Sequence, residues 1–292
     1  MKLNIERISI DEFCLEHFVF DRLRLEIPFI VTGVRACDPN RASPEYVKRH
    51  FSSESRRQMG WYDSELVDDD MIRIPPIVTK ILERPEMSLR EAPMRLFMQP
   101  RGHVTLPHYD GNSLHGMNLQ VVGQKKWIMT SPRTPLPIMP FMFAGMVRRT
   151  FVYDPRKYDF FEFETQVGDL LFLPRYWCHE VHSLDEINLN VNWVFTPVFP
   201  NERSPLGRRE VELLKLRKAF AFIDESFPDT LSEYGGRGEE ITARYTENVT
   251  MARALTRFVK EVVNYPKFLV LLRELKSRAR EFSENNFNVP NP

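Results

Sequence analysis

Two histidines and one aspartate in this chain have the types and spacing of a set of metal ligands. His108 and Asp110 are separated by one residue, and His179 lies far downstream. Residues two apart on a β-strand point to the same face, so His108 and Asp110 can both face a barrel interior while Tyr109 faces out. Two imidazoles and one carboxylate form the facial triad that holds non-haem Fe(II) and leaves coordination positions open. The pattern therefore predicts a metal site, although His-x-Asp alone is common.

Motifs around these residues occur in a fixed order along the chain. They are residues 28–33 (PFIVTG), 105–110 (TLPHYD), 120–127 (QVVGQKKW), 168–183 (GDLLFLPRYWCHEVHS) and 190–195 (NVNWVF). In the fourth, an apolar strand ends at Pro174, a short aromatic turn follows, and His179 begins the next strand. Together these stretches resemble the motifs of the Jumonji C (cupin-like) family, over residues 10–198.

The resemblance implies a mainly β core, a double-stranded β-helix of the cupin or jelly-roll type. It also implies an oxygenase that uses Fe(II), 2-oxoglutarate and O2. His108, Asp110 and His179 match the family's metal ligands. Thr105 and Lys125 match positions that hold the distal carboxylate of 2-oxoglutarate, a sensible partner for an ammonium and a hydroxyl group. Asn192 matches a polar position near the co-substrate on the closing strand.

The chain departs from the family pattern between Asp110 and Lys125, where it is about two residues longer. Gly116 stands where relatives have an asparagine, and Asn118 is two residues away. Lys126 competes with Lys125 for the inward position. Adjacent strand residues face opposite ways, so only one of the two can reach the pocket, and the position after Gly-x favours Lys125.

Two further histidines, His115 and His182, lie near the ligands in sequence. His182 is an odd number of residues from His179, so on one strand it faces away from the metal. We expect both to be surface residues or neighbours of the site rather than ligands.

The chain divides at about residue 200. Residues 1–200 are predicted to form the catalytic domain, with flanking N-terminal helices at 10–25, 44–51 and 76–89 and an early strand. Short strands separated by turns fill 94–196. Residues 201–292 are predicted to be a C-terminal helical region, helical at 209–222 and 250–282 with a break at Tyr265-Pro266, that caps the barrel or forms a homodimer. The apolar, proline-rich residues 135–146 are predicted to be a lid or a partner contact.

Bulk composition limits the classes of binding partner and the cellular compartment that we expect. Lys plus Arg and Asp plus Glu both total 40, so a net charge of +0 gives no electrostatic reason to expect a nucleic acid or membrane partner. Three widely spaced cysteines fit a reducing compartment, and the absence of a signal sequence or membrane span predicts a cytoplasmic protein.

The predicted function is hydroxylation of an unactivated C–H bond in a protein or peptide side chain or in a small molecule, with succinate and CO2 as co-products. No chromatin-reading module accompanies the motifs, which favours hydroxylation over the alternative, N-demethylation. A non-catalytic cupin-like binding protein is the other alternative, and the intact triad with Lys125 argues against it.

Overall fold

The structure is a computed structural model that describes residues 1–13, 25–35, 43–50, 61–62, 73–82, 87–89, 95–110, 114–134, 158–197, 204–216 and 243–287. Its strands are β1 (Lys2–Leu3), β2 (Glu6–Ser9), β3 (Phe29–Thr32), β4 (Trp61–Tyr62), β5 (Met87–Leu89), β6 (Arg95–Pro100), β7 (Val104–His108), β8 (His115–Val122), β9 (Lys125–Thr130), β10 (Phe160–Thr165), β11 (Leu170–Leu173), β12 (Cys178–Ser183) and β13 (Ile187–Pro197). Its helices include α1 (Pro44–His50), α2 (Pro76–Leu82), α3 (Pro205–Leu214) and α4 (Met251–Phe287).

The strands form two sheets. One has the order β1-β10-β9-β12-β7, and the other has the order β2-β3-β11-β8-β13-β6-β4, with β5 also paired to β13. The pairs β1–β10 and β2–β3 are parallel, and the other pairs are antiparallel. Apart from β9–β10 and β2–β3, the neighbouring strands in both sheets are non-consecutive, as in a jelly roll. The mainly β cupin fold predicted from the sequence is confirmed.

The two sheets face each other across an apolar layer. Leu171 and Leu173 of the larger sheet pack there against Trp127, Met129 and Val181 of the smaller sheet. A second apolar cluster covers the outer face of the larger sheet, where α2 packs on it. Strand β13 shows why both layers form: Leu189, Val191 and Trp193 face the outer cluster, so the alternating asparagines of the same strand must face the interior.

Several predicted boundaries are wrong. The helix predicted over 76–89 ends at Leu82, and Met87–Leu89 instead pairs with β13, because the long β13 offers hydrogen-bonding groups beyond β6. The break predicted at Tyr265-Pro266 is absent: α4 runs through Pro266. Val262 and Val263 are exposed there, so water can hydrogen-bond the carbonyl that the proline leaves without a donor.

Other sequence predictions fall partly or wholly outside the described residues. These are most of the helix predicted at 10–25, the apolar residues 135–146 and residues 217–222 of the helix predicted at 209–222. The described helix in that region is α3, which begins at Pro205 and ends at Leu214. The predicted helix at 44–51 is confirmed as α1. In the part of the chain that the structure describes, no helix combines the length and the apolar character needed to cross a bilayer.

Candidate metal and co-substrate site

The three predicted ligands come together at one end of the smaller sheet. Strand β7 ends at His108, which pairs directly with His179 of β12, and the two imidazole centroids are 4.2 Å apart. The Asp110 Oδ1 atom lies 3.8 Å from His108 Nε2. One donor atom from each of the three residues lies within 4.8 Å of the others, and no other such group of metal-ligating side chains occurs among the described residues. Separations of this size can be closed around one metal ion.

The local geometry differs from the prediction in one respect. His108 and Asp110 do not share a strand, because the pairing of β7 with β12 stops at His108 and Asp110 lies two residues beyond it. Tyr109 does point away from the ligands, but it is buried beneath α3 rather than exposed. Asp110 therefore depends on the path of the chain after the strand for its position.

His179 is held in the form that a metal requires. It is 4% exposed, and its Nδ1–H donates to the backbone carbonyl of Trp177 at 3.0 Å, so Nε2 carries the free lone pair. Burial first, and then the charge of His108, lower the pKa of His179 to about 4. The imidazole is thus neutral at physiological pH and can bind a cation without losing a proton.

Lys125 lies inside the barrel and Lys126 lies on its outside. Lys125 is 2% exposed, and its ammonium donates to Gln99 Oε1 at 2.7 Å and to Asn190 Oδ1. Both of these acceptors are neutral, and burial lowers the Lys125 pKa to about 7. Lys126 Nζ lies 3.2 Å from Glu162 Oε2 at the surface. Within the described residues no carboxylate pairs with Lys125, so the alternation of β9 places in the interior an amine that an anion can pair with in its protonated form.

Thr105 completes this polar cluster through Gln99. Because Lys125 is a donor only, Gln99 must accept through Oε1, which turns its Nε2 toward Thr105 Oγ1 at 3.4 Å. His103 Nε2 lies 3.3 Å from the same hydroxyl oxygen. Burial first, and then the positive charge of Lys125, lower the His103 pKa to about 4. The Thr105 hydroxyl therefore accepts from Gln99, and its own proton is donated either to His103 Nε2 or to another acceptor.

Asn192 lies next to Asn118, to which the sequence analysis assigned no role. Asn192 pairs with Asn118 across β13 and β8, and both are buried. In the described part of the chain, Asn192 Oδ1 and Asn118 Nδ2 lack hydrogen-bond partners. A Cβ on Gly116 would lie 3.0 Å from the Asn118 atom and 3.2 Å from the Asn192 atom. The glycine thus keeps open a space bordered by an unused donor and an unused acceptor.

Sequence reasoning missed Gln99, Asn190 and His103. Asn190 carried a usable signal, because it alternates with Asn188 and Asn192 along β13 and must share their face. Gln99 carried none, since it meets Lys125, 26 residues away, only in the folded chain. His103 lies two residues from Thr105, but nothing in its sequence context indicated that the two side chains meet.

His115 and His182 are not surface residues. Both are buried, and the Nδ1 atom of His115 accepts a hydrogen bond from the Arg175 backbone N–H at 3.1 Å. Burial, and then the charge of Arg175, lower the His115 pKa well below its usual value. The His182 ring contacts the carboxylate of Glu180. Neither histidine belongs to the ligand group.

The arrangement has the chemistry of a metal centre beside an anion pocket. Ser183 and His179 face Lys125 and Met129, respectively, across the same strand pair, so the two regions are four residues, or about 13 Å, apart along β12. Both lie on the interior face, with the apolar Trp127 and Val181 at the intervening positions of the same two strands. Two imidazoles and a carboxylate fit a divalent metal, and the Lys125 cluster fits a carboxylate.

Comparisons with known proteins bear on the fold and the family. A solved structure of E. coli ycfD is similar at 19% identity, with a TM-score of 0.29, over 48% of this chain and 33% of that one. This chain thus spans about a third of that protein's length, and the likeness is too distant to inform its function. No protein with a curated description matches. Residues 78–198 match the model of the JmjC domain. That match covers every predicted ligand, and the resemblance seen in the motifs is confirmed over these residues.

Proposed function

We propose that the protein is an Fe(II)- and 2-oxoglutarate-dependent oxygenase that hydroxylates an unactivated C–H bond. The substrate is a protein or peptide side chain or a small molecule, and succinate and CO2 are the co-products. One observation carries this proposal: Lys125 is a buried cation with neutral partners, and it shares the strand pair β9–β12 with the site of His179. A buried ammonium is costly unless an anion pairs with it, so the fold favours a bound carboxylate.

Each residue has a definable task in this reaction. His108, Asp110 and His179 would hold Fe(II), which with 2-oxoglutarate and O2 supplies an oxidant strong enough to exchange a C–H hydrogen for a hydroxyl group. The Lys125 ammonium and the Thr105 hydroxyl would hold the distal carboxylate of the co-substrate. Fixing that end determines which oxygen atoms of the co-substrate can reach the metal.

Asn118 and Asn192 would contact the same co-substrate from the opposite sheet. Their unpaired Nδ2 and Oδ1 atoms border the space at Gly116, and an amide N–H there can donate to a carboxylate or keto oxygen. The cost of leaving a buried amide without a partner favours a ligand that supplies one. Relatives have an asparagine at the position of Gly116. Asn118 lies two residues away on the same strand face, so it can take the place of that asparagine beside the co-substrate.

The test is an anaerobic titration of the protein with Fe(II) and 2-oxoglutarate, followed by visible absorption. We expect the weak metal-to-ligand charge-transfer band of a chelated keto acid, and succinate production once air is admitted. His108→Ala and Asp110→Ala should remove both signals, while His115→Ala, at a buried histidine outside the ligand group, should leave the band in place. A folded, metal-loaded protein without the band would refute the proposal.

Two other readings give different products in the same assay. An N-demethylase of the same family would release formaldehyde from a methylated substrate, whereas a hydroxylase leaves a product heavier by one oxygen atom. A non-catalytic cupin-like protein would give neither product and no succinate. A mass-shift screen over peptides and metabolites would identify the substrate class.

We also propose that α4 mediates a homodimer. This helix packs against α3 and β7, yet it leaves large apolar side chains exposed, namely Met251, Leu255, Val259, Val262, Val263, Leu269 and Val270. An apolar stripe that stays exposed among the described residues favours association with a second copy.

A further inference from the structure

A buried cluster connects the backbone next to all three predicted ligands. Tyr109 separates His108 from Asp110, and Cys178 directly precedes His179. Tyr109 and Cys178 pack together with Tyr176 and with Leu206 of α3. We call these four residues the back cluster, because they lie behind the ligands. A shift of any member would move the backbone on which a ligand is carried.

Backbone geometry makes the back cluster sensitive to its packing. Tyr176 has a φ of 65°, a left-handed conformation that a bulky residue adopts only when its surroundings impose it. Its ring centroid lies 5.9 Å from that of Tyr109. Asp110 has no hydrogen bond to another side chain within the described residues, so its place depends on the backbone at Tyr109.

Arg209 of α3 ties this cluster to the helical region. Its Nη1 donates to the Tyr109 hydroxyl at 2.8 Å. Its Nε and Nη2 donate to the two carboxylate oxygens of Glu261 on α4, at 2.8 and 3.1 Å. Arg209 is 1% exposed and Glu261 is 4% exposed. A planar fork with three donors in use has one favourable orientation, and the bidentate pair fixes where Nη1 points.

From this geometry we infer that Arg209 is a positioning residue for the metal centre and acts through Tyr109. The inference rests on the proposed function, since it concerns the same ligands. Arg209 and Glu261 lie outside the JmjC match at residues 78–198, so the C-terminal helices would be part of the site rather than a neutral cap. Glu261 orients Arg209, Arg209 holds the Tyr109 hydroxyl, and Tyr109 sets the backbone between His108 and Asp110.

The decisive variant is Tyr109→Phe, which keeps the ring and the Arg209–Glu261 pair but removes the hydroxyl. We expect Co(II) affinity to fall about 10- to 100-fold, the size seen when a residue that orients a metal ligand is changed. The d–d absorption spectrum of bound Co(II) should also shift, because the ligand positions change. A purely structural role would alter the unfolding midpoint without altering this spectrum.

A matched control tests whether any weakening of the α3–α4 contact has the same effect. Arg257→Met removes a 2.6 Å ion pair to Glu212 in that contact and leaves Tyr109 untouched. It should keep the wild-type Co(II) spectrum and affinity. The double variant Arg209→Met/Glu261→Met removes both buried charges together and should reproduce the spectrum of Tyr109→Phe, which provides a second route if one variant folds poorly.

The outcomes separate this inference from the proposed function. If wild type binds Co(II) in a way that His179→Ala abolishes, but Tyr109→Phe matches wild type in affinity and spectrum, the positioning role is overturned and the metal site stands. An Arg257→Met spectrum that changes as much as that of Tyr109→Phe would also overturn it. If wild type shows no Co(II) absorption that depends on His179, the metal site itself fails.

Discussion

Replacing Lys125 by methionine should separate co-substrate binding from stability. Methionine keeps most of the lysine side-chain volume and removes the ammonium, so the packing of β9 changes little. In the wild type that ammonium is buried and donates to Gln99 and Asn190. The substitution therefore deletes the one charge proposed to hold the distal carboxylate of 2-oxoglutarate.

The expected loss in binding follows from the strength of the lost contact. A hydrogen bond to a charged group contributes about 1.5–3 kcal/mol. At about 1.4 kcal/mol for each factor of ten, the Kd for 2-oxoglutarate should rise by roughly 10- to 150-fold.

The change in the free energy of unfolding is the difference between two opposing terms. Burial lowers the Lys125 pKa from 10.5 to about 7, and at about 1.36 kcal/mol per unit this charge costs on the order of 4 kcal/mol at pH 7. Methionine removes that cost but leaves two buried amide oxygens without this donor, at about 1–3 kcal/mol each. The net change should stay below about 2 kcal/mol in either direction.

The direction in which stability changes with pH is an independent test of the buried Lys125 amine. In the folded protein Lys125 loses its proton above about pH 7, whereas the unfolded chain keeps it up to about pH 10.5. The unfolded state therefore binds more protons between these limits, and wild-type stability rises with pH there, by up to about 1.4 kcal/mol per unit. Lys125→Met should lack this rise. Affinity for 2-oxoglutarate should fall as pH increases through the same range, because the carboxylate requires the protonated amine.

Calorimetric titration of 2-oxoglutarate into anaerobic Mn(II)-loaded protein measures the Kd, and urea denaturation from pH 7 to 9 measures stability. Lys126→Met is the matched control, because Lys126 pairs with Glu162 at the surface. It should leave the Kd unchanged. A wild-type Kd in Lys125→Met, or a weakened one only in Lys126→Met, would refute the assignment of Lys125.

Three further outcomes follow from the same structure. Gly123→Ala should lose about 3 kcal/mol or more of stability in urea denaturation, because φ is +73° and the new Cβ would lie 2.3 Å from a backbone carbonyl oxygen. Gly33→Ala is the control: φ is +80°, but the nearest atom to the new Cβ is 3.4 Å away, so the loss should be only about 1 kcal/mol. Gln99→Leu should raise the Kd for 2-oxoglutarate about tenfold, since Thr105 loses the donor that orients its hydroxyl; an unchanged value would contradict that role. Val259→Glu should convert a dimer to a monomer in light scattering while Lys260→Glu does not, and a monomeric wild type would contradict the dimer.

Local patterns in the sequence accounted for much of the β core and for the predicted ligand set, whose three side chains lie together in the structure. His108, Asp110 and His179 are recognisable because ligand type and spacing are properties of short segments, and the motif at 168–183 places His179 after a turn. Alternation along β9 allowed only one of Lys125 and Lys126 to face inward, and the resemblance to the family favoured Lys125, which the structure places inside. The same reasoning failed where pairing partners are far apart in sequence, as for Met87–Leu89, whose strand state depends on β13.

The sequence by itself determined the donor chemistry: two imidazoles, a carboxylate and one lysine at an inward strand position. Tertiary structure decided how that chemistry is supported. Gln99 and Asn190 surround the Lys125 ammonium only because β6, β9 and β13 converge on one interior, and Arg209 reaches Tyr109 only because α3 packs behind the ligand strands. The physical reason is that residue type and strand alternation are local, whereas burial, pKa and hydrogen-bond partners are set by elements that meet only in the folded chain.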